Sequence, residues 1–382
     1  MRGQPTTFWA KLERDDQGIV STWHPLRDHC ADVAVVVETL LRLPLWRNRL
    51  SRLAGLVDLD EITRARLCVL AALHDVGKFN LGFQAKGLPA LGQPAGHVTP
   101  ALAAVTEGYL NKRLASLAPW GPGTLGLLVT SICHHGRPFG ARFDAGSCRE
   151  PFRRSFWSPR LGFNPANGID ALLTTCQDWF PQAFTDDGPA LPTAPAFEHA
   201  FAGLVMLADW LGSNVDYFPF TEQGDPDRIA ASRERAERIA HKMWLSVGLG
   251  MRSPDGPEVD PFDRISAFTP TDAQRAVCSL HNSGGGSIAV FESETGSGKT
   301  EAALAHFVRL FTQTQVDGLY FALPTRTSAT QMFERVRHAV RRAFTQPPPV
   351  ALAVPGYLKI DEVSGSRLPD FRVQWPDVDR FR

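Results

Sequence analysis

The sequence predicts a mainly α-helical domain followed by a smaller α/β segment that contains a phosphate-binding loop. Apolar residues recur with helical spacing through much of residues 27–247. Histidines and aspartates stand at the ends of these helical segments. Residues 287–300 place an apolar run before a glycine-containing loop and another helix. We therefore expect an α domain at residues 1–250, a polar linker at 251–264 and the α/β segment at 265–382.

Composition favours a soluble protein of two ordinary domains. The chain has 382 residues, and its 40 basic and 40 acidic side chains cancel, so no overall field draws it to nucleic acid or to a membrane. Its six cysteines show no CxxC spacing, which argues against a zinc knuckle and a disulfide framework. The sequence lacks a signal peptide and a membrane-spanning run, so we expect a cytoplasmic protein without a membrane partner.

Residues 67–77 carry the motif on which the functional prediction depends. Their apolar positions fall on one helical stripe that also carries His74, and Asp75 follows directly. We expect this helix to end at Gly77, with the positive charge of Lys78 beside it. A histidine next to a carboxylate at a buried helix end can bind a metal ion, and the carboxylate can bridge two ions.

Further histidines stand at the ends of neighbouring helical segments. His29 lies in the first turn of a helix predicted over residues 27–43, and His97 directly precedes another predicted helix. His134 and His135 end a third apolar helix. A single histidine is more often a neutral core residue than a ligand, but so many at helix ends within one domain together indicate a metal centre.

A longer apolar helix supplies the last candidate ligand. Residues 197–218 are predicted as a helix that is hydrophobic on nearly every face, with Asp209 near its end. An unpaired buried carboxylate costs roughly several kcal/mol. Asp209 therefore needs a partner, and a metal ion would provide one. An amphipathic helix is predicted to follow over residues 226–247.

The stretch between about residues 137 and 195 is irregular, and its arginines alternate with aromatic residues. Two interpretations are open. Guanidinium groups and rings could bind the phosphates and bases of single-stranded nucleic acid, or the rings could anchor a long loop to the core. The second interpretation is slightly favoured.

The α/β segment contains the elements of a phosphate-binding loop. Residues 287–292 are predicted as a buried strand, and residues 318–336 repeat the order of strand, loop and helix. Ser293 stands where the GxxxxGK[ST] pattern has its first glycine. Backbone N–H groups of such a loop point at the phosphates, so we expect ATP with Mg²⁺ to bind here. The candidate nucleotide-binding residues of the loop are Thr295, Gly296, Ser297, Gly298, Lys299 and Thr300.

The order H, HD with a nearby lysine, H, HH and D resembles the HD nuclease domain of the CRISPR-associated nuclease-helicases of type I interference systems. In that family a superfamily 2 helicase follows, and GSGKTEAAL and PTRTSATQMFERV resemble its motifs I and Ia. Gln274 resembles its adenine-reading glutamine. The resemblance covers about residues 22–382. It implies a mainly α HD-type metal-dependent phosphohydrolase domain followed by an incomplete α/β RecA-like (P-loop) lobe.

The resemblance also implies a binuclear centre in which Asp75 bridges two divalent transition-metal ions. Mixed nitrogen and oxygen ligands suit Mn, Fe, Co or Ni better than Mg. Asp75, Lys78 and His74 are the implied catalytic residues, and Ser213 is expected nearby. The implied ligands of one ion are His29, His74, Asp75 and Asp209, and those of the other are Asp75, His97, His134 and His135.

The implied reaction is endonucleolytic or exonucleolytic cleavage of single-stranded DNA in antiviral defence, with a guide-RNA surveillance complex as partner. One alternative is an HD phosphohydrolase of small nucleotides, against which the P-loop argues. Another is a catalytically silent docking module, against which the full ligand set argues. The sequence stops before the acidic helicase motif and the second RecA-like lobe, so we expect a truncated helicase portion without appreciable ATP hydrolysis.

Overall fold

The computed structural model describes residues 5–134, 143–144, 147–148, 151–221, 224–242, 260–280, 287–313, 315–316, 318–344, 347–354, 357–360 and 363–365. The chain divides into two compact units, and the main part of the first ends at Leu245. Most of the predicted linker, residues 251–259, lies outside the described ranges. The two units are therefore described separately.

The first unit opens with an antiparallel hairpin that was not predicted. Strand β1 (Trp9–Arg14) pairs with β2 (Val20–Pro25), and Gly18 takes a positive φ of 78° in the connecting turn. A register shift between Trp9 and Lys11 marks a bulge in β1. Trp9 is buried, so this aromatic residue packs on the first unit.

Helices build the remainder of the first unit. Its described α-helices are α1 (Leu26–Arg42), α2 (Pro44–Leu53), α3 (Glu61–Ala72), α4 (Leu81–Gln84), α5 (Val98–Thr106), α6 (Tyr109–Arg113), α7 (Gly123–Ile132), α8 (Pro165–Trp179), α9 (Pro195–Gly212) and α10 (Arg228–Lys242). Short 3-10 helices lie at Val76–Phe79, Pro89–Leu91, Ala115–Trp120, Arg154–Trp157 and Pro181–Phe184, and two short strands, β3 (Phe143–Asp144) and β4 (Ser147–Cys148), pair with each other. Helix α1 packs against α3, α9 and α10, which explains why it is buried on nearly every face.

The predicted mainly helical fold is confirmed, but the helix before the HD motif ends earlier than expected. Helix α3 stops at Ala72 rather than at Gly77. Gly77 lies in the following 3-10 helix, where a Cβ atom would be 2.2 Å from the backbone oxygen of His97. This glycine is therefore needed for a close backbone contact, because any side chain would separate the two segments.

Helix α8 lies inside the stretch that was predicted to be irregular. Asn164 accepts a hydrogen bond from the N–H of Asn167, and Pro165 occupies the first turn, so the helix start has a standard cap. After the proline, the buried residues of α8 are Ile169, Leu172, Leu173, Cys176 and Trp179. This spacing is helical, so the sequence does contain the pattern of α8. The frequent glycines and prolines of the flanking sequence led to the prediction of an irregular stretch instead.

The described residues of the second unit form helices and an antiparallel sheet. The helices are α11 (Pro261–Ile265), α12 (Asp272–Cys278), α13 (Lys299–Thr312) and α14 (Arg326–Ala343). Strands β5 (Ala351–Val354), β6 (Tyr357–Ile360) and β7 (Val363–Gly365) pair in that order. The stretch predicted as a linker ends inside α11, because Asp260 caps this helix and Phe262 enters the core of the unit.

The buried strand predicted at residues 287–292 is wrong. These residues have no regular secondary structure, and Ile288 and Val290 are 96% and 80% exposed. The strand expected at the start of residues 318–336 is also absent, and Tyr320 is exposed. A strand needs neighbours for its hydrogen-bond ladder. Among the described residues β5, β6 and β7 pair only with one another, so the apolar pattern alone does not produce a sheet.

Candidate metal centre

Helix packing brings histidines and aspartates from separate segments into one buried group of the first unit. The members of this group, called the metal-centre cluster below, are His29, His74, Asp75, His97, His134 and Asp209. They come from the first turn of α1, the turns after α3 and α7, the residue before α5 and the last turn of α9. Each is at most 5% exposed. Because α1 packs against α3 and α9, and α7 packs against α9, these helix ends meet.

Asp75 lies at the middle of the metal-centre cluster. Its Oδ2 is 3.2 Å from His29 Nε2 and 3.1 Å from His74 Nε2, whereas its Oδ1 is 3.3 Å from His97 Nε2. The ammonium group of Lys78, itself buried, is 2.6 Å from Oδ2. The two carboxylate oxygens thus face different imidazoles, as in a carboxylate that bridges two ions.

Asp209 faces the same space from α9. Its Oδ1 is 3.2 Å from His29 Nε2, and its Oδ2 is 3.1 Å from His134 Nε2. Ser213, one turn further along, donates its hydroxyl to Oδ1 at 2.9 Å. The carboxylate that required a partner in the sequence is therefore surrounded by imidazoles and a hydroxyl group.

Two imidazoles are oriented by the backbone of their own segments. Nδ1 of His74 donates to the carbonyl oxygen of Ala71, and Nδ1 of His134 donates to that of Ser131, both at 2.7 Å. A carbonyl can only accept, so these bonds place the proton on Nδ1 and leave the Nε2 lone pair directed at the aspartates. This is the tautomer of a histidine that binds a metal through Nε2.

The electrostatics favour ionised carboxylates at Asp75 and Asp209 and neutral imidazoles at His29 and His134. Burial would raise the pKa of Asp75, but interactions with His74 and Lys78 hold that pKa well below its usual value. Burial acts likewise on Asp209, and Lys11 and the contact with His134 hold its pKa well below the usual value. Burial lowers the pKa of His29 and of His134. Metal ions bind these protonation states.

The donor set fits a divalent metal ion. Nε2 of His29, Nε2 of His74 and Oδ1 of Asp75 are buried and make no hydrogen bond of acceptable geometry, and the Lys78 ammonium group lies beside Oδ2. The lone pair of His74 Nε2 therefore faces an ionised carboxylate. Two acceptors repel each other, and a cation bound between them makes the arrangement favourable. Two overlapping triads have ligand atoms close enough to share an ion: His29, His74 and Asp75, and His74, His134 and Asp209.

The residues of the first implied ligand set, His29, His74, Asp75 and Asp209, lie together. His134, from the second implied set, contacts Asp209, because both stand at the ends of the packed helices α7 and α9. The division of the ligands between two ions stays a prediction. His135 lies outside the described residues.

Lys11 of β1 is a site neighbour that the sequence pattern did not indicate. Its Nζ is 3.8 Å from Asp209 Oδ1, and its side chain is 21% exposed. A short bulged hairpin has no regular alternation that would have placed Lys11 near the other site residues.

The arginine-rich stretch supports the anchoring interpretation where it is described. Phe156, Trp157 and Phe163 are at most 8% exposed, so their faces are covered by the core and not offered to nucleic-acid bases. Arg137, Arg142 and the other residues of 135–142 lie outside the described ranges.

In the second unit, the predicted nucleotide-binding residues lie at the start of α13. Gly296 and Gly298 have positive φ angles of 85° and 80°, which a turn of this type requires. Lys299 begins the helix as predicted, and its ammonium group donates to the carbonyl oxygens of Ser293 and Glu294. Thr300 follows in the first turn, and Thr295 and Ser297 complete the loop.

Gln274 lies beside this loop. It forms a capping box with Thr271 at the start of α12, and its Nε2 donates to the carbonyl oxygen of Gly298 at 3.1 Å. A Cβ atom on Gly298 would collide with this amide. The predicted adenine-reading residue therefore contacts the predicted phosphate loop directly.

None of the helices in the described part of the chain is long and apolar enough to cross a membrane.

Comparisons with known proteins agree with the geometry. Residues 9–218, more than half of the chain, match the family model described as "Cas3, HD domain". The chain is similar to the CRISPR-associated endonuclease/helicase Cas3 of Thermus thermophilus, with 26% identity over 88% of this chain and 36% of that protein. It is 27% identical to the protein of the same name from Escherichia coli, over 85% of this chain and 39% of that one.

A crystal structure described as a CRISPR-associated protein superposes with a TM-score of 0.67 and 27% identity, over 88% of this chain and 37% of that chain. The present chain thus spans well under half the length of the relatives that it matches.

Proposed function

The chain belongs to the family of Cas3 HD domains, and from this membership we propose that it is a metal-dependent nuclease that cuts single-stranded DNA in type I CRISPR interference. The observation that carries the proposal is the convergence of imidazole nitrogens on both oxygens of buried Asp75. Curated relatives named CRISPR-associated endonuclease/helicase support the reaction class and the biological context. The guide-RNA surveillance complex is the proposed partner.

The proposed metal ligands are the six residues of the metal-centre cluster, with His135 as a further candidate. Two divalent ions held there would polarise a phosphodiester oxygen and make a water molecule more acidic. Mn, Fe, Co or Ni suits this mixture of imidazole and carboxylate donors. Asp75 would bind between the two ions, His74 would hold its Nε2 toward them, and Lys78 would fix the orientation of the Asp75 carboxylate.

Single-stranded DNA is the proposed substrate because the centre is deeply buried. The histidines of the metal-centre cluster are at most 1% exposed, and a flexible single strand can reach such a depth where a stiff duplex cannot. Small nucleotides could also reach it, so they are the main competing substrates. In the second unit we propose that Lys299 and Thr300 bind the phosphates of ATP, with Mg²⁺, and that Gln274 contacts the adenine.

The experiment compares the parent with Asp75→Asn and with Asp178→Asn, a control on the exposed face of α8. Each protein is stripped of metal, reconstituted separately with Mn²⁺, Fe²⁺, Co²⁺ or Ni²⁺, and assayed on a labelled single strand, the matching duplex and a panel of mononucleotides. We expect the parent and Asp178→Asn to cut the single strand and Asp75→Asn to lose cutting. Hydrolysis of mononucleotides alone would favour the small-nucleotide phosphohydrolase, and equal cutting by Asp75→Asn would refute the site.

A further inference from the structure

His97 reaches the metal-centre cluster from the end of a mostly exposed loop. Residues 92–97 have no regular secondary structure, and Gly96 is exposed, whereas the side chain of His97 is fully buried. Its Nε2 is 3.3 Å from Asp75 Oδ1. An exposed loop does not by itself fix the side chain at its end, so the position of this imidazole depends on an anchor outside the loop.

The buried side chain of Asn80 provides such an anchor. Its Nδ2 donates to the carbonyl oxygen of Gly77 at 2.6 Å and to that of Gly96 at 3.0 Å, and its Oδ1 accepts from the N–H of Phe83 at 2.8 Å. Carbonyl oxygens only accept and an N–H only donates, so these partners determine the orientation of the amide. The side chain thus joins the segment after the HD motif to the residue that precedes His97.

Each of these three partners adjoins or contacts His97. The Gly77 backbone passes so close to it that a Cβ atom on Gly77 would be 2.2 Å from the His97 carbonyl oxygen. Gly96 is its neighbour in the chain, and the ring of Phe83 meets the imidazole edge to face at 5.5 Å. Asn80 therefore holds together three separate parts of the surroundings of His97.

The alternative role for Asn80 is that of a helix cap alone. Its bond to Phe83 is an ordinary N-cap contact at the start of α4, which a serine hydroxyl would make as well. The bonds to Gly77 and Gly96 are not needed for a cap, and a hydroxyl has one proton, so it cannot donate to both carbonyls. The amide is therefore required for the connection to the loop that carries His97.

We propose that Asn80 is a positioning residue that holds His97 against Asp75 and thereby determines how tightly the centre binds the metal ion that His97 contacts. This inference rests on the proposed function as a metal-dependent nuclease. Groups that orient a metal ligand from behind affect metal affinity, because a displaced ligand binds less well. The ligands on α1, α7 and α9 belong to other segments, so loss of the Asn80 amide should weaken one ion more than the other.

The test compares the full chain with Asn80→Ser, His97→Gln and the double variant. Asn80→Ser keeps a capping hydroxyl but loses the two donated bonds. Asn164→Ser is the matched control, because Asn164 caps α8 through a bond from the N–H of Asn167. Each protein is stripped of metal, and the affinity and stoichiometry of Mn²⁺ binding are measured by calorimetry. The visible absorption spectrum after Co²⁺ loading reports the ligand geometry, and kcat is measured on a labelled single strand over a range of Mn²⁺ concentrations.

We expect Asn80→Ser to bind one manganese ion about tenfold more weakly than the parent and to give an altered cobalt spectrum. Excess Mn²⁺ should restore most of kcat, and Asn164→Ser should match the parent in every measurement of metal binding. His97→Gln should weaken the same ion. Asn80→Ser should then cause no further loss of affinity in the His97→Gln background, since the two residues act as one unit.

Parent-like manganese affinity and cobalt spectrum in Asn80→Ser would overturn the proposal and leave Asn80 as a helix cap. A further loss of affinity in the double variant would also overturn it, because Asn80 would then act through other ligands. If Asn80→Ser does not fold, Asn80→Thr, which fills more of the space of the amide, takes its place.

The parent separates this inference from the proposed function. A parent that binds no manganese would refute the metal centre on which that function depends. A parent that binds manganese but cuts no DNA would refute the nuclease activity, and the affinities and cobalt spectra of the variants would still decide the role of Asn80.

Discussion

At the scale of single residues, the pKa values of two histidines of the metal-centre cluster make the free energy of unfolding depend on pH. Burial lowers the pKa of His29 and of His134 below the ordinary value of 6.5. As pH falls below about 6.5, the unfolded chain therefore takes up protons before the folded chain does. The contribution of each neutral histidine to the free energy of unfolding is complete above this pH. Between this pH and the lower pKa of the folded state, that contribution decreases by about 1.4 kcal/mol per pH unit for each histidine.

We predict that the free energy of unfolding of the metal-free protein decreases as pH falls from 7 toward 5. Urea denaturation at a series of pH values gives this slope. His134→Gln should reduce the slope, whereas His199→Gln, at an exposed position of α9, should leave it unchanged. A free energy of unfolding that rises on acidification would contradict the lowered pKa values of the two histidines.

Several members of the metal-centre cluster could be predicted because their positions at helix ends depend on local sequence. His74 and Asp75 are adjacent, and His29, His97 and Asp209 stand at helix ends that apolar periodicity reveals. Lys11 could not be predicted in the same way, since its approach to Asp209 depends on contacts that Gln84 makes across 75 residues. Long-range hydrogen bonds of this kind leave no periodic trace in a sequence.

At the scale of elements, the close approach of the HD segment to α5 depends on Gly77. A Cβ atom at this position would lie 2.2 Å from the carbonyl oxygen of His97 and 2.9 Å from the Ala101 side chain. Gly77→Ala should therefore lower the free energy of unfolding by about 1–3 kcal/mol and weaken manganese binding, because it separates Asp75 from His97.

The matched control for this prediction is Gly203→Ala. Gly203 lies within α9, and no atom beyond its neighbours and the helix's own backbone lies within 4 Å of a Cβ atom placed there, so alanine should be neutral or stabilising by up to about 1 kcal/mol. Thermal melts and manganese titration of both variants check the pair. Equal behaviour of the two variants would mean that the Gly77 backbone contact is unimportant.

A second element-scale prediction concerns Asp32, which ties α10 to α1. Its carboxylate accepts from Arg228 Nε at 2.8 Å and Nη2 at 2.6 Å, and it lies 2.9 Å from His24 Nε2. All three side chains are at most 1% exposed. Asp32→Asn leaves a buried guanidinium without its counter-charge and should cost about 3–5 kcal/mol.

Asp170→Asn provides the comparison, because its ion pair with Arg113 has side chains 48% and 37% exposed and should contribute at most about 1 kcal/mol. Chemical denaturation measures both changes. Similar losses in the two variants would contradict the importance of burial in the Asp32 pair.

Helices were predicted more accurately than strands, because helix hydrogen bonds join residues close in sequence and strand hydrogen bonds do not. Helices α1, α9 and α13 begin close to their predicted starts, because helix hydrogen bonds stay within the segment. Helix α9 ends at Gly212 and not at residue 218 as predicted. The strand predicted at residues 287–292 failed because a strand's hydrogen bonds belong to its neighbours. Local pattern therefore predicted the helical unit better than the α/β unit.

At the scale of the whole molecule, the metal-centre cluster and the phosphate loop belong to different compact units. We predict that cutting of DNA that is already single-stranded does not require ATP, and that Lys299→Ala cuts it at the parental rate. The assay compares both proteins with and without ATP on the same labelled strand. A requirement for ATP that Lys299→Ala abolishes would show that the two units are coupled in catalysis.

The backbone hydrogen bonds of His74 and His134 bear on the order in which the chain folds and binds metal. Each imidazole is held by a carbonyl three residues earlier in its own segment, so its orientation is established when that helix end forms. We therefore expect folding to precede metal loading, and a chelator to empty the centre without unfolding the chain. The identity of the ions would then depend on which metals the cell supplies at the time of loading, since ligand type alone discriminates weakly among Mn, Fe, Co and Ni.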